Sequence, residues 1–133
     1  VIDAFVKIKP AGGSGDVETG PECVINSGCV LYTGNGIRMG ARMAANCTFA
    51  PDNHEFRRRV LPIREQGFRP SKGGIVIEDD VWISANCVLL NGALLRQGCV
   101  IAAGSVVRGK IEAYSIQGGN PLKLLGRREV TGN

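Results

Sequence analysis

Aliphatic side chains recur along this chain at every sixth position. Ile25, Leu31, Ile37, Met43 and Phe49 form one run, and Ile77, Ile83, Leu89, Leu95, Ile101 and Val107 form a second. Ile2, Ile8 and Thr19 fall in the same phase near the start. Four residues after each member stands a second, mostly small residue: Cys23, Cys29, Asn35, Ala41, Cys47 and Asn53, then Val81, Cys87, Ala93, Cys99, Ser105 and Ile111. A period of six fits neither the helical 3.6 nor a heptad, but it holds the two-residue alternation of a strand plus a corner. The pattern predicts a parallel β-helix with one short flat strand per hexad, three hexads per coil, and coils stacked about 4.8 Å apart. Each inward aliphatic then lies on its counterpart one coil away, and burying one such side chain contributes roughly 1.5–3 kcal/mol. At Gly36–Met43 a second register is open, in which Met39-Gly40 starts the hexad after a two-residue slip.

Three stretches leave the period. Residues 10–18 (PAGGSGDVE) read as a small Gly-rich loop, and GGSG is no phosphate-binding loop because no helix follows it. Residues 55–76 form one long inserted loop, at a length where loops are usually functional. Residues 113–133 form a tail with a turn at Gly118-Gly119-Asn120-Pro121, then a short helix over LKLLGRR whose first turn suits Pro121. The fold class is therefore all-β, a single β-helix domain over 1–133 with one insertion and a short C-terminal helix.

Composition agrees with narrow coils. Glycine is abundant, with 19 residues, and aromatics are few, as a chain that turns a corner every sixth residue requires. All five cysteines (Cys23, Cys29, Cys47, Cys87 and Cys99) fall on the second inward position, which favours a small, easily buried side chain. Their odd number and the lack of CxxC spacing point to reduced core thiols in a cytoplasmic protein, with Cys29, Cys47 and Cys87 in one column. No stretch approaches the ~20 apolar residues of a membrane span.

The formal charge is +4. Between His54 and Gly74, Arg57, Arg58, Arg59, Arg64, Arg69 and Lys72 stand against Glu55 and Glu65, so the inserted loop alone carries the whole excess. Nucleic acid is not indicated, since no recognition motif accompanies these charges. The loop reads as a solvated segment, a subunit-pairing segment or an anion site.

Together, the hexads, Asn53-His54, the run IEDDVWISANC at 77–87, VIAAGSVV at 100–107 and GGNPLKLL at 118–125 resemble the hexapeptide-repeat acyltransferases. The similarity is nearest to the O-acetyltransferases of bacterial surface polysaccharide and lipopolysaccharide synthesis. It implies a left-handed β-helix, acetyl-CoA as co-substrate, a sugar hydroxyl as acceptor, and a homotrimer with sites in the clefts between subunits. His54, the only histidine, matches the family's general base, which takes the acceptor proton as the hydroxyl attacks the thioester. Asn53 and Glu55 flank it and could orient the ring or the acceptor, and Arg57 belongs with them on the acceptor side.

On the cofactor side the resemblance implies that Trp82 lines the thioester end and that the Ala85 N–H holds the carbonyl as it becomes an oxyanion. The Ala103 backbone would bond the pantetheine arm, and Lys123 would lie near the nucleotide. Arg108-Gly109 stands where relatives often have Thr-Lys, so Arg108 is a further candidate for the phosphates. Ser84 replaces a usual glycine. No metal is implied: the γ-type carbonic anhydrases share this fold but hold zinc with three imidazoles, and one histidine does not suffice. Two other readings stay open: N-acetylation of a nucleotide-linked amino sugar, and a non-catalytic β-helix scaffold.

Overall fold

A computed structural model describes residues 1–10 and 15–131. Residues 11–14 of the Gly-rich loop expected over residues 10–18, including Gly12, Gly13 and Ser14 of GGSG, lie outside the described residues, and a strand already begins at Val17. The rest is a parallel β-helix with three faces. The first face stacks β1 (Lys7–Lys9), β4 (Val30–Tyr32), β6 (Thr48–Ala50), β8 (Val88–Leu90) and β11 (Val106–Val107). The second stacks β2 (Val17–Thr19), the start of β5 (Ile37–Met43), the start of β7 (Ile75–Ile83), β9 (Leu94–Leu95) and β12 (Lys110–Ile111). The third stacks β3 (Val24–Ile25), the ends of β5 and β7, β10 (Val100–Ile101) and β13 (Ser115–Gly118).

The hexad members form the core by lying on one another. Ile25, Met43, Ile83 and Ile101 make one column, and Leu31, Phe49, Leu89 and Val107 another; all eight are buried. The second inward positions make narrower columns. Cys29, Cys47, Cys87 and Ser105 stack with no exposure. Each thiol donates to the carbonyl after the next coil's third-face strand: Cys29 Sγ to Ala44 at 3.2 Å, Cys47 Sγ to Ser84 at 3.3 Å and Cys87 Sγ to Ala102 at 3.2 Å. Ser105 Oγ instead donates to Ala102 at 2.6 Å, within its own coil, and accepts the Gly119 N–H at 2.9 Å. Contact with the Cys29 and Cys87 sulfurs, together with burial, pushes the Cys47 thiol up. Burial pushes Cys99 up to about 11.

The structure departs from the strict pattern in three ways, two of register and one of burial. At β5 the two-residue slip occurs: Ile37, Met39, Ala41 and Met43 are all buried, Thr19 lies beside Met39, and the ladder to β7 shifts at Gly40. One strand thereby crosses two faces, and Asn35 leaves the inward column to donate from Nδ2 to Pro51 O at 2.8 Å. Asn53 is likewise only partly buried; Thr33, Pro51 and Asn91 occupy the inward corner positions instead. The second slip puts Ile111 beside Leu95, since β12 follows one residue after Arg108-Gly109. Third, Thr19, Ile2 and Ile8 are in phase but exposed, because they lie at the end of the stack with coil on one side only.

Two boundaries need correction. The insertion ends at Gly74 rather than residue 76, because Ile75 is already buried in β7 beside Ile37. The expected C-terminal helix is instead β14 (Lys123–Arg127), antiparallel to β13. A helix there would have been short and would have carried Gly126, at a cost of about 1 kcal/mol. The open edge of β13 offers backbone partners that an isolated helix lacks. Arg128 fastens this hairpin, bonding Asp80 at 2.8 Å and Gly98 O at 3.0 Å with its guanidinium over Tyr114, and Arg127 pairs with Glu112. Among the described residues no helix is long and apolar enough to cross a membrane.

Candidate active site

The chemistry-bearing residues fall on two different corners. The first is where β6 ends and the inserted loop departs. Pro51 fills the interior, Asp52 and Asn53 are half-buried, and His54 stands exposed. The loop is fastened to itself. Glu55 N donates to Gly67 O and Arg69 N to Asn53 O, so His54 lies in an antiparallel bridge opposite Phe68, and the two rings stack with centroids 4.7 Å apart. Gln66 crosses the interior of the loop, donating to Arg58 O and Leu61 O and accepting from Arg58 N, beside a single 3-10 turn at Ile63–Glu65. At the returning end, Asn91 Oδ1 accepts the N–H groups of Lys72 and Gly74 at 3.3 and 3.2 Å.

A groove of about 320 Å³ opens at this corner, with His54 on its wall beside Asn53, Arg69, Lys72, Asn91 and Arg108. Among the described residues no side-chain hydrogen bond engages the His54 ring; the stacking on Phe68 is what orients it. Burial pushes the Asp52 carboxyl up, opposed by the charge of His54, and its Oδ2 is buried without a partner. Glu55 and Arg57 engage one another. The Arg57 guanidinium bonds both Glu55 oxygens, at 3.1 and 2.7 Å, and this pulls the Glu55 carboxyl down to about 2. Neither residue lines the groove.

The second corner joins the third face to the first. Trp82 is outward in β7, 54% exposed, between Arg42 and Val100 of the neighbouring coils. It walls a separate groove of about 350 Å³ with Pro21, Arg42 and Asp80. Just beyond it, Asn46, Asn86 and Gly104 hold the same left-handed turn in successive coils, at φ of 60, 60 and 72°. Asparagine and glycine tolerate that conformation best. The Asn86 N–H is taken by Ala45 O and the Gly104 N–H by Ala85 O. Among the described residues the N–H groups of Ala85 and Ala103 have no acceptor. Two amides on one corner, one coil apart, are thus available to carbonyl oxygens of a bound molecule.

A single chain therefore brings together His54, Asn53 and Arg108 at one corner and Ala85 and Ala103 at another. Trp82, on the third face between them in sequence, opens onto a groove toward the corner of the second and third faces. Lys123, exposed at the start of β14, belongs to neither groove. Arg69, Lys72, Phe68 and Asn91 were not singled out by the repeat; the available signal was that Asn91 follows Leu89 at the spacing by which Thr33 follows Leu31 and Pro51 follows Phe49. Among the described residues no group of three or more His, Cys, Asp or Glu side chains is arranged to hold a metal ion.

Comparison with known proteins adds independent findings. The bacterial transferase hexapeptide family (six repeats) matches residues 74–109. A probable acetyltransferase of Mycobacterium tuberculosis is 32% identical over 119 residues, covering 88% of this chain and 39% of the relative. A chloramphenicol acetyltransferase of Agrobacterium fabrum is 31% identical over 121 residues, covering 90% of this chain and 55% of its own length. The chain thus spans only about half or less of these relatives. Among solved structures, a hexapeptide-repeat acetyltransferase of Vibrio cholerae complexed with acetyl coenzyme A superposes with a TM-score of 0.79 at 25% identity, over 96% of this chain and 67% of that one.

Proposed function

This chain belongs to the hexapeptide-repeat acyltransferase family, with its left-handed β-helix, and we propose that it transfers an acetyl group from acetyl-CoA to a sugar hydroxyl. The observation that carries the reading is the sole histidine, exposed in a groove with its ring free of side-chain hydrogen bonds among the described residues. The acceptor hydroxyl gives its proton to the His54 imidazole as its oxygen bonds to the thioester carbonyl carbon. The resulting oxyanion is held by the Ala85 N–H. The C–S bond then breaks, and the leaving thiolate takes the proton from the imidazolium, releasing CoA. Trp82 walls the thioester end, Ala103 bonds the pantetheine arm, and Lys123 serves the nucleotide phosphates.

His54 and Ala85 stand on different corners, so this scheme needs a second copy of the chain. A homotrimer, in which the His54 corner of one subunit faces the Trp82 corner of the next, completes three sites from identical halves. The basic groove favours a hydroxyl over an amino acceptor, because an ammonium group would enter a space walled by three cations and no carboxylate. An acceptor in surface polysaccharide or lipopolysaccharide synthesis suits the sequence resemblance. The test is thiol release from acetyl-CoA against a panel of sugar and amino-sugar acceptors. A scaffold without activity would release no thiol, and acetyl-CoA would leave its melting temperature unchanged.

A further inference from the structure

We propose that the groove beside His54 accepts a phosphate-bearing acceptor, with Arg69, Lys72 and Arg108 binding the phosphate while the hydroxyl faces the imidazole. The step from phosphate site to acceptor site rests on the acetyl-transfer reading; the phosphate site itself rests on the groove.

The three cations reach one space from two distant parts of the chain. Arg69 and Lys72 come from the returning arm of the inserted loop, and Arg108 from the end of β11, two coils beyond β6. The backbones of the two loop residues are fixed. Arg69 N–H bonds Asn53 O at 2.7 Å, and the Arg69 guanidinium sits 6.0 Å over the Phe56 ring. Lys72 N–H bonds Asn91, and its side chain runs across Gly92, where any Cβ would come within 2.9 Å of Lys72 Cβ. Glycine at residue 92 therefore leaves the room in which Lys72 lies.

Among the described residues none of the three forms a salt bridge, and no carboxylate lines the groove. Of the loop's other cations, Arg57 is taken by Glu55 and Arg64 reaches Glu65, and Arg58 and Arg59 do not line the groove. Like charges held around one concave space repel until a counter-charge enters, and low-dielectric walls strengthen both effects. Two guanidinium forks and one ammonium match the planar, multidentate recognition of a phosphate better than a single carboxylate. The phosphates of acetyl-CoA offer the same chemistry. The groove is assigned to the acceptor because it contains the base, whereas the two free amides suited to the thioester arm lie on the other corner.

The test uses the full chain. Calorimetric titration with inorganic phosphate, and with hexose phosphates against the matching neutral hexoses, should give at least tenfold tighter binding of the phosphorylated forms. Arg69→Gln with Lys72→Gln should weaken phosphate and hexose-phosphate binding tenfold or more, with acetyl-CoA affinity changed less than twofold. Arg108→Gln should act in the same direction. Both sites are on the surface, and an unchanged melting temperature checks that the fold is kept. Equal binding of charged and neutral sugars would overturn the proposal. So would a loss confined to acetyl-CoA and absent for S-acetylpantetheine, which would give the cluster to the cofactor's phosphates. Phosphate binding that depends on these residues without any thiol release would keep the site and remove the transferase reading, whereas transfer to neutral sugars alone would do the reverse.

Discussion

At the corner between the third and first faces, Asn46, Asn86 and Gly104 repeat one left-handed turn coil after coil, and the groups offered to a ligand are backbone amides. At the corner between the first and second faces the repeat is broken by the insertion, and the groups offered are the side chains of His54, Arg69, Lys72 and Arg108. On the proposed function, the contrast would let one scaffold serve two partners with different demands. A regular corner presents the same amide at a fixed spacing, which suits a molecule that lies along the stack. An interrupted corner can change its side chains and loop without disturbing the columns of Leu31, Phe49, Leu89 and Val107 beneath it. It is the natural place for acceptor specificity.

The sharpest way to break this division is at His54. His54→Gln should lower turnover by about 10²–10⁴-fold, the usual worth of a general base. Acetyl-CoA affinity should stay within about twofold, because the amides of the other corner are untouched. Thiol-release kinetics and calorimetry separate the two quantities. A variant that loses cofactor affinity would show that the corners do not divide the labour.

The second test lies at Trp82, on the face that leads into the regular corner. Trp82→Ala should weaken acetyl-CoA binding by about tenfold, as loss of an exposed aromatic wall would. Mixing inactive His54→Gln subunits with Trp82→Ala subunits should restore part of the activity, since some clefts then combine an intact histidine with an intact tryptophan. A fully active monomer in light scattering, or no recovery on mixing, would refute the shared cleft.

The same contrast explains what the sequence disclosed. The columns through Ile25 and Leu31 were legible because each hexad repeats the same steric demand, so eleven on-phase side chains speak for one fold. The placement of His54 at a corner and of Trp82 outward on a face was legible through their phase, whereas the roles proposed for them come from the family resemblance. Arg69 and Lys72 were not. Their position follows from the Asn53–Arg69 and Asn91–Lys72 bonds, which join residues far apart or on either side of the loop, and no local period announces them. The tail failed for a related reason. LKLLGRR has no decisive period of its own, and its strand state comes from the open edge of β13.

Below the site, the cysteine column gives a smaller effect. Cys47→Ser should cost about 1 kcal/mol, at the low end for a buried hydroxyl. Ser105 and Ser115 show why: each sits unexposed and donates to the carbonyl three residues back, at 2.6 and 2.7 Å. A serine at 47 can make the analogous bond to Ala44 O. Urea unfolding measures the loss, and catalysis per folded molecule should persist. Thiol labelling of the native protein should be slow; rapid labelling of Cys47 would contradict the inward column.

An effect no larger is expected at Arg128, which belongs to neither corner. Its guanidinium ties the end of β14 to Asp80 and Gly98 O across the corner between the second and third faces. The Arg128 and Asp80 side chains remain 42% and 65% exposed, so water competes for both charges. Exposed pairs of this kind contribute about 0.2–1 kcal/mol. The additional carbonyl bond and the packing of the guanidinium on Tyr114 place Arg128→Ala at roughly 1 kcal/mol in urea unfolding. Turnover and acceptor affinity should not change, because the His54 groove lies on another corner and Asp80, which also walls the Trp82 groove, keeps its place in β7. Lys123 supplies the sensitive readout. It opens the same strand, opposite Gly118, so if Arg128 held β14 in place the variant would weaken acetyl-CoA binding as well as stability. The ladder of β14 against β13 should hold Lys123 without the clasp, and an unchanged acetyl-CoA affinity in Arg128→Ala is the expected result.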